Sequence, residues 1–471
     1  MTNQSIHAEM REQLANKQLF EQAKGYAFEY IDGVQERPVY PTTDVLENLS
    51  IFDEPVPDTP QDGAAILKQL HEFGAPATTA MTGGRYFGFV NGNVITTAAA
   101  AGWMAQVWDQ NTALYVMSPI AAKLEQVAEG WCADLLGLAS GTAMGLVGGT
   151  SVANMCGLAA GRHAIMQKQG WDVNANGLFG APPMRVIVNE QAHSSVWKGL
   201  ALLGLGNERV EKVPADDQGR IIVEKLPKLD SSCLVILQAG HVSTGSFDRF
   251  DTICDLANEA GAWVHIDGAF GLWAAVSTRL NSLTNGIEKA DSWAVDGHKT
   301  LNTPYDCGIV LCKHRSALNS AMAATGSYIQ PSDNRDNMFY TPDMSRRARS
   351  IELWATLKYL GRDGVEQLID GMVDRAKEFG EQLAAAGFHV QNDVVFNQCL
   401  IKCDTSEETA ATMAHVQQSG TMWCGGAEWQ GESAIRISVC SWMTTPEDVK
   451  ASVQALVKAR QNASGRVAGG K

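Results

Sequence analysis

Six short apolar runs in the middle of the chain constrain its fold more than any other feature. They occupy 145–149, 185–189, 234–239, 262–267, 292–295 and 308–312, with helical or loop patterns between them. Each run is too short for a helix and apolar almost throughout, so it reads as a strand covered on both faces. Such strands, separated by helices, form an α/β fold with a mostly parallel sheet.

Two of these runs end in chemistry. One closes on Asp267 in Val264-His-Ile-Asp-Gly-Ala-Phe270, the other leads into His298-Lys299 in Ser292-Trp-Ala-Val-Asp-Gly-His-Lys-Thr300. A lysine amine can form a Schiff base with an aldehyde. A nearby carboxylate can keep a pyridine nitrogen protonated, which makes the ring an electron sink. Together they point to pyridoxal 5'-phosphate (PLP). Gly148-Gly-Thr-Ser151 closes a strand and opens a helix, and its N–H groups and dipole suit a phosphate. His193 follows the 185–189 run, where a side chain can reach the ligand-binding edge of the sheet. Ala269 is small enough to sit under a flat ring. Taken singly, each feature has an ordinary reading: a solvated lysine, a capping aspartate, a structural histidine, a common strand–helix turn. Their joint placement at strand ends is what argues for a cofactor site.

The rest of the chain narrows the setting. Its 471 residues carry a net charge of −15, and no run of Lys or Arg forms a basic stripe, which argues against nucleic acid or an anionic membrane as partner. No apolar run has membrane-spanning length. Met1-Thr-Asn-Gln-Ser is polar and does not read as a signal peptide. The ten cysteines are scattered without a Cys-x-x-Cys pair, which suggests a reducing cytoplasm and no metal site. The spacing predicts an N-terminal helical arm within 1–85, including one helix over 6–31. A lone amphipathic helix needs a surface to cover its apolar face, another subunit or the main domain. A large domain over 86–315 follows, then a loop and a small α+β domain over 316–460, and a Gly- and Ser-rich tail from 461 to 471 that reads as mobile.

These residues resemble the group II PLP-dependent amino-acid decarboxylases, relatives of the aromatic-L-amino-acid, tyrosine and glutamate decarboxylases. The resemblance rests on Asp267, His298-Lys299, His193 and the Gly149-Thr-Ser151 turn. It extends through Ser118-Pro119, Ser246-Phe-Asp248, Arg346-Arg-Ala-Arg-Ser350 and Ile435-Arg-Ile437, from about Tyr86 to Cys440. It implies PLP fold type I (aspartate aminotransferase-like), with a mostly parallel seven-stranded sheet and a small α+β C-terminal domain. It also implies a homodimer with active sites at the interface. Lys299 would carry the cofactor, His193 stack on it, Asp267 hold its nitrogen and Ala269 pack on the other face. Thr150, Ser151 and His298 would contact the phosphate. Tyr328 would return a proton after CO2 leaves, and Arg436 would meet the substrate carboxylate. Phe87 and Asn91, in Tyr86-Phe-Gly-Phe-Val-Asn-Gly-Asn93, are expected at the substrate, with an aromatic amino acid mildly preferred. Two departures stand out: Val242 replaces a hydroxyl residue of the family, and Val152 a glutamate. Another PLP reaction on the same fold, such as C–C lysis, transamination or decarboxylation-coupled condensation, is the alternative. A non-catalytic PLP-fold binding protein is the remoter one.

Overall fold

The computed structural model describes residues 5–323 and 334–468. The first strand, Tyr86–Phe87 (β1), precedes seven that form the larger sheet. These are Ala143–Val147 (β2), Arg185–Asn189 (β3), Glu211–Val213 (β4), Cys233–Gln238 (β5), Trp263–Asp267 (β6), Ser292–Asp296 (β7) and Gly308–Cys312 (β8). Their order is β2-β8-β7-β6-β5-β3-β4, and only β8 runs against its neighbours. Four strands follow in the small domain: His389–Val390 (β9), Gln398–Lys402 (β10), Trp423–Trp429 (β11) and Glu432–Ser438 (β12). The smaller sheet has the order β1-β11-β12-β10-β9.

Every residue of β2, β5, β6, β7 and β8 is buried, which is why these strands read as unbroken apolar runs. The Thr150–Lys168 helix lies against the larger sheet and can approach it closely because of its glycines. A Cβ on Gly157 would fall 2.5 Å from the His265 ring, and one on Gly161 would fall 2.8 Å from Trp263. Ser118 starts the Pro119–Leu135 helix as an N-cap, accepting the Ala121 N–H. That helix presents Glu125, fully buried, to Arg346 at 2.9 Å, while Glu129 meets Arg335 and Arg315 at 2.6 Å.

Several boundaries differ from the sequence expectation. The 6–31 helix is two helices, Ile6–Asn16 and Gln18–Gly33, broken where Lys17 adopts a left-handed φ of 58°. Tyr86–Phe87 pairs with β11, so the segment opening the expected large domain belongs to the smaller sheet. Gly361, with φ 61°, kinks the long Ser350–Ala385 helix. The final helix continues to Ala468, through most of the tail expected to be mobile. No helix among the described residues is long and apolar enough to cross a membrane.

The buried ion pairs at Glu125 allow a stability test. Glu125→Ala leaves Arg346 without its carboxylate in a dry site, at an expected cost of about 3–5 kcal/mol. Urea unfolding of the purified chain measures it, and a loss below about 1 kcal/mol would show that the pair is dispensable.

Candidate active site

The ends of β3, β5 and β6, the turn after β7, and β12 of the small sheet converge on one cavity of about 400 Å³. Its lining includes His193, Gln238, Asp267, Ala269, Lys299 and Arg436. This is the carboxyl edge of the sheet, where parallel strands leave room for ligands.

Lys299 Nζ lies 3.0 Å from Asp296 Oδ2, a carboxylate buried at the end of β7. Asp296 also lies 3.5 Å from His298 Nε2. The His298 ring is fixed from behind, because its Nδ1 accepts the Cys307 N–H at 3.0 Å. Tyr305 stacks on that ring with centroids 4.3 Å apart, and its hydroxyl donates to Asn91 Oδ1 at 3.0 Å. The turn carrying Lys299 is held by Asn302, whose Nδ2 donates to the carbonyls of Lys299 and Cys440, each at 2.8 Å. Gly92 closes over the same turn: its N–H donates to the His298 carbonyl, and a Cβ there would stand 2.2 Å from the Lys299 oxygen.

Asp267 is nearly inaccessible to solvent, and burial pushes its pKa up. His193, the Asn154 amide, Lys299 and the Ala269 N–H pull the other way. Asn154 Nδ2 donates to Asp267 Oδ2 at 3.0 Å, and the Ala269 N–H donates to Oδ1 at 3.2 Å. His193 caps the Ser194–Leu202 helix, its Nδ1 accepting the Ser195 N–H at 3.2 Å. The proton of the neutral ring therefore sits on Nε2. Loss of solvation in the cavity lowers the His193 pKa, which favours that neutral form.

Beside His298, Thr150 begins the long helix after Gly149. A Cβ on Gly149 would stand 3.4 Å from the His298 ring, which places the turn before Thr150 directly against His298. Thr150 Oγ1, Gln238 Nε2 and Arg436 Nε are buried without hydrogen-bond partners. A cradle at a helix N-terminus, with an unused hydroxyl beside it, fits a phosphate. An amine and a carboxylate in one cavity fit the aldehyde and ring nitrogen of PLP. Ser151 is exposed next to Thr150.

The structure therefore brings Lys299, Asp267, His193, Ala269, Asn91 and Arg436 to one cavity, with His298 and Thr150 beside it. It corrects one expectation: Phe87 is fully buried in the small-domain core, edge-on to Phe379 at 4.9 Å. The chain leaves the strand after Phe87, and Phe89, with a left-handed φ of 52°, lines the cavity instead. Tyr328 lies outside the described residues. Sequence reading missed Asp296, Asn154, Asn302 and Gln238. Of these only Asp296 had a visible signal, an acidic residue closing an apolar run two positions before His298.

The family model of the pyridoxal-dependent decarboxylase conserved domain matches residues 46–400. An aromatic-L-amino-acid decarboxylase of Bacillus atrophaeus is 26% identical over 369 residues, 75% of this chain and 74% of that protein. Cysteine sulfinic acid decarboxylase of Mus musculus is 31% identical over 270 residues, and the match spans 54% of each chain. Acidic amino acid decarboxylase GADL1 of Mus musculus is 28% identical over 300 residues, 61% of this chain and 54% of that one. Among solved structures, Oryza sativa TDC with PLP and tryptamine superimposes with a TM-score of 0.86 at 19% identity, covering 98% of this chain and 99% of that one. Mouse CSAD gives 0.87 at 21% identity, covering 95% and 98%. At such identities the structural likeness speaks for the shared type I fold. With the family model matched over most of its length, the chain belongs to the pyridoxal-dependent decarboxylase family.

Proposed function

We propose that this protein removes the α-carboxyl group of an L-amino acid to give CO2 and an amine, with PLP attached at Lys299. One observation carries the reading: Lys299, Asp267, His193 and Arg436 line a single cavity. Bound there, PLP supplies an electron sink for the pair left behind as CO2 departs. The remaining work falls to side chains. Asp267 supports a protonated ring nitrogen, while His193 and Ala269 flank the ring. Thr150, Ser151 and His298 hold the phosphate.

Arg436 holds the substrate carboxylate. Its guanidinium stays charged in a protein, and no carboxylate pairs with it among the described residues. Its Nη1 donates to the Val242 carbonyl at 3.1 Å, which aims the group at the cavity. Fixing the carboxylate sets the bond to be broken perpendicular to the ring, a matter of positioning. His193 Nε2–H, or Tyr328 on the strength of the family resemblance, returns a proton to Cα.

For the side chain we favour an aromatic substrate. Phe89, Val90, Val242 and Phe270 give the cavity an apolar wall. Lys299 and Arg436 are the cationic residues lining it among those described, and both already have roles. The second reading is an acidic substrate, supported by the acidic and cysteine sulfinic acid decarboxylases among the relatives.

The assembly we propose is a homodimer. The two N-terminal helices bury no residue within the chain; Leu14, Phe20 and Ile31 are exposed there, and Leu14 and Phe20 share a groove with Trp103 and Val107. An apolar surface of that kind calls for a cover, and a second copy of the same arm provides one. All ten cysteines are free and buried, which supports a cytoplasmic setting.

The deciding experiment incubates the PLP-loaded protein with each common L-amino acid and records CO2, amine, aldehyde and keto acid. CO2 with an equal yield of amine, highest for an aromatic substrate, is expected. Aldehyde or keto acid without amine would move the enzyme to another PLP reaction. Arg436→Met should lower kcat/KM roughly ten- to hundredfold, the effect of losing a hydrogen-bonded charge contact. An unchanged kcat/KM would remove Arg436 from carboxylate binding. Sedimentation of the full chain should show a dimer that weakens on Phe20→Glu, and a stable monomer in the unmodified chain would refute the assembly.

A further inference from the structure

Behind Asp267 a chain of hydrogen bonds runs through the interface between β6 and the Thr150–Lys168 helix. It begins at Trp263, whose indole N–H can only donate. That group donates to Ser292 Oγ at 3.0 Å, and Ser292 Oγ lies 2.9 Å from His265 Nδ1. His265 Nε2 lies 3.0 Å from Asn154 Oδ1. Asn154 Nδ2 meets Asp267 Oδ2 at 3.0 Å and Ser195 Oγ at 3.2 Å. Ser195 Oγ in turn lies 2.8 Å from His193 Nδ1. Every member from Trp263 to Ser195 is buried.

The two ends fix the direction of the hydrogens between them. Ser292 Oγ accepts from Trp263, which cannot accept in return, and His265 Nδ1 is the hydrogen-bond partner able to take the Ser292 hydrogen. Burial pushes the His265 pKa to about 3, so the ring is neutral and carries its single proton on Nε2. That proton goes to Asn154 Oδ1, which turns the Asn154 NH2 group towards Asp267 and Ser195. At the far end His193 Nδ1 already accepts a backbone N–H, so Ser195 Oγ donates to it and accepts from Asn154. A reversed chain would set Asn154 Oδ1 about 3.0 Å from a carboxylate oxygen, a repulsion relieved only by protonating Asp267.

We infer that Trp263, His265 and Asn154 are positioning residues of the active site: their hydrogen-bond chain points an amide donor at Asp267 and keeps that carboxylate ionised. The inference rests on the proposed role of Asp267 at the ring nitrogen of PLP. Trp263, His265 and Asp267 occupy alternate positions of one strand, so all three face the same helix. Gly157 on that helix leaves the space the His265 ring needs.

The test is nitrogen NMR of the PLP-loaded protein, with label in histidine and in the cofactor ring. In the unmodified holoenzyme, His265 and His193 should both be protonated on Nε2 and bare on Nδ1. A His265 protonated on Nδ1 overturns the proposal with no variant needed. The ring nitrogen should be protonated in the unmodified protein and in His265→Gln, whose side-chain amide replaces the Nε2 donor. In His265→Leu and Asn154→Leu its protonation equilibrium should weaken about tenfold or more, the effect of losing one hydrogen bond to a charged group. A ring nitrogen that titrates normally in both leucine variants overturns the proposal. If those variants do not fold, the histidine spectrum of the unmodified protein decides. A ring nitrogen unprotonated in the unmodified holoenzyme would instead refute the role given to Asp267, and this inference with it.

Discussion

A carboxylate buried at the end of a central strand is the constraint on which the rest depends. Taking a carboxylate out of water costs several kcal/mol unless donors replace the lost solvent. Asp267 meets that requirement with the Asn154 amide on one oxygen and the Ala269 N–H on the other. Both donors depend on the wider fold. Asn154 stands on the helix that also opens the phosphate cradle, and that helix reaches the sheet closely because residues 157 and 161 lack side chains. The packing that satisfies the carboxylate is therefore the packing that aligns the cradle with the lysine.

The larger sheet was legible because its strands are buried on both faces and their apolar runs are continuous. The short β4 at its edge showed no such run: Glu211 and Lys212 break the pattern. Asp267, His298 and Lys299 were legible because each ends or follows a run at the edge where ligands bind. Phe87 was misplaced because β1 is two residues long, too short for alternation to show which aromatic faces inward. The break at Lys17 lies in a polar stretch with neither glycine nor proline to mark it. Asn154 and His265 carried no signal at all. One sits in the interior of a helix and the other inside a strand, and their pairing exists only once the two elements pack.

Membership of a family fixes the cofactor and the class of reaction more firmly than the substrate. The residues that would serve the cofactor sit at or just after strand ends of the larger sheet. Those that would meet the amino-acid side chain, Phe89, Val90 and Asn91, lie on the segment between β1 and the Thr96–Trp108 helix. Segments of this kind change more freely than strands, so one scaffold can serve aromatic and acidic substrates alike.

Arg436 belongs to the small sheet, whereas Lys299 belongs to the large domain. Polar ties already cross between them, among them Arg436 to the Val242 carbonyl and Asn302 to the Cys440 carbonyl. On the proposed reading, an amino acid held by its carboxylate at Arg436 and by its amino group at the cofactor seated in the large domain would form another. The substrate would in that sense be a removable rivet: it would fasten the two bodies while present, and the angle between them would help decide how tightly it is held.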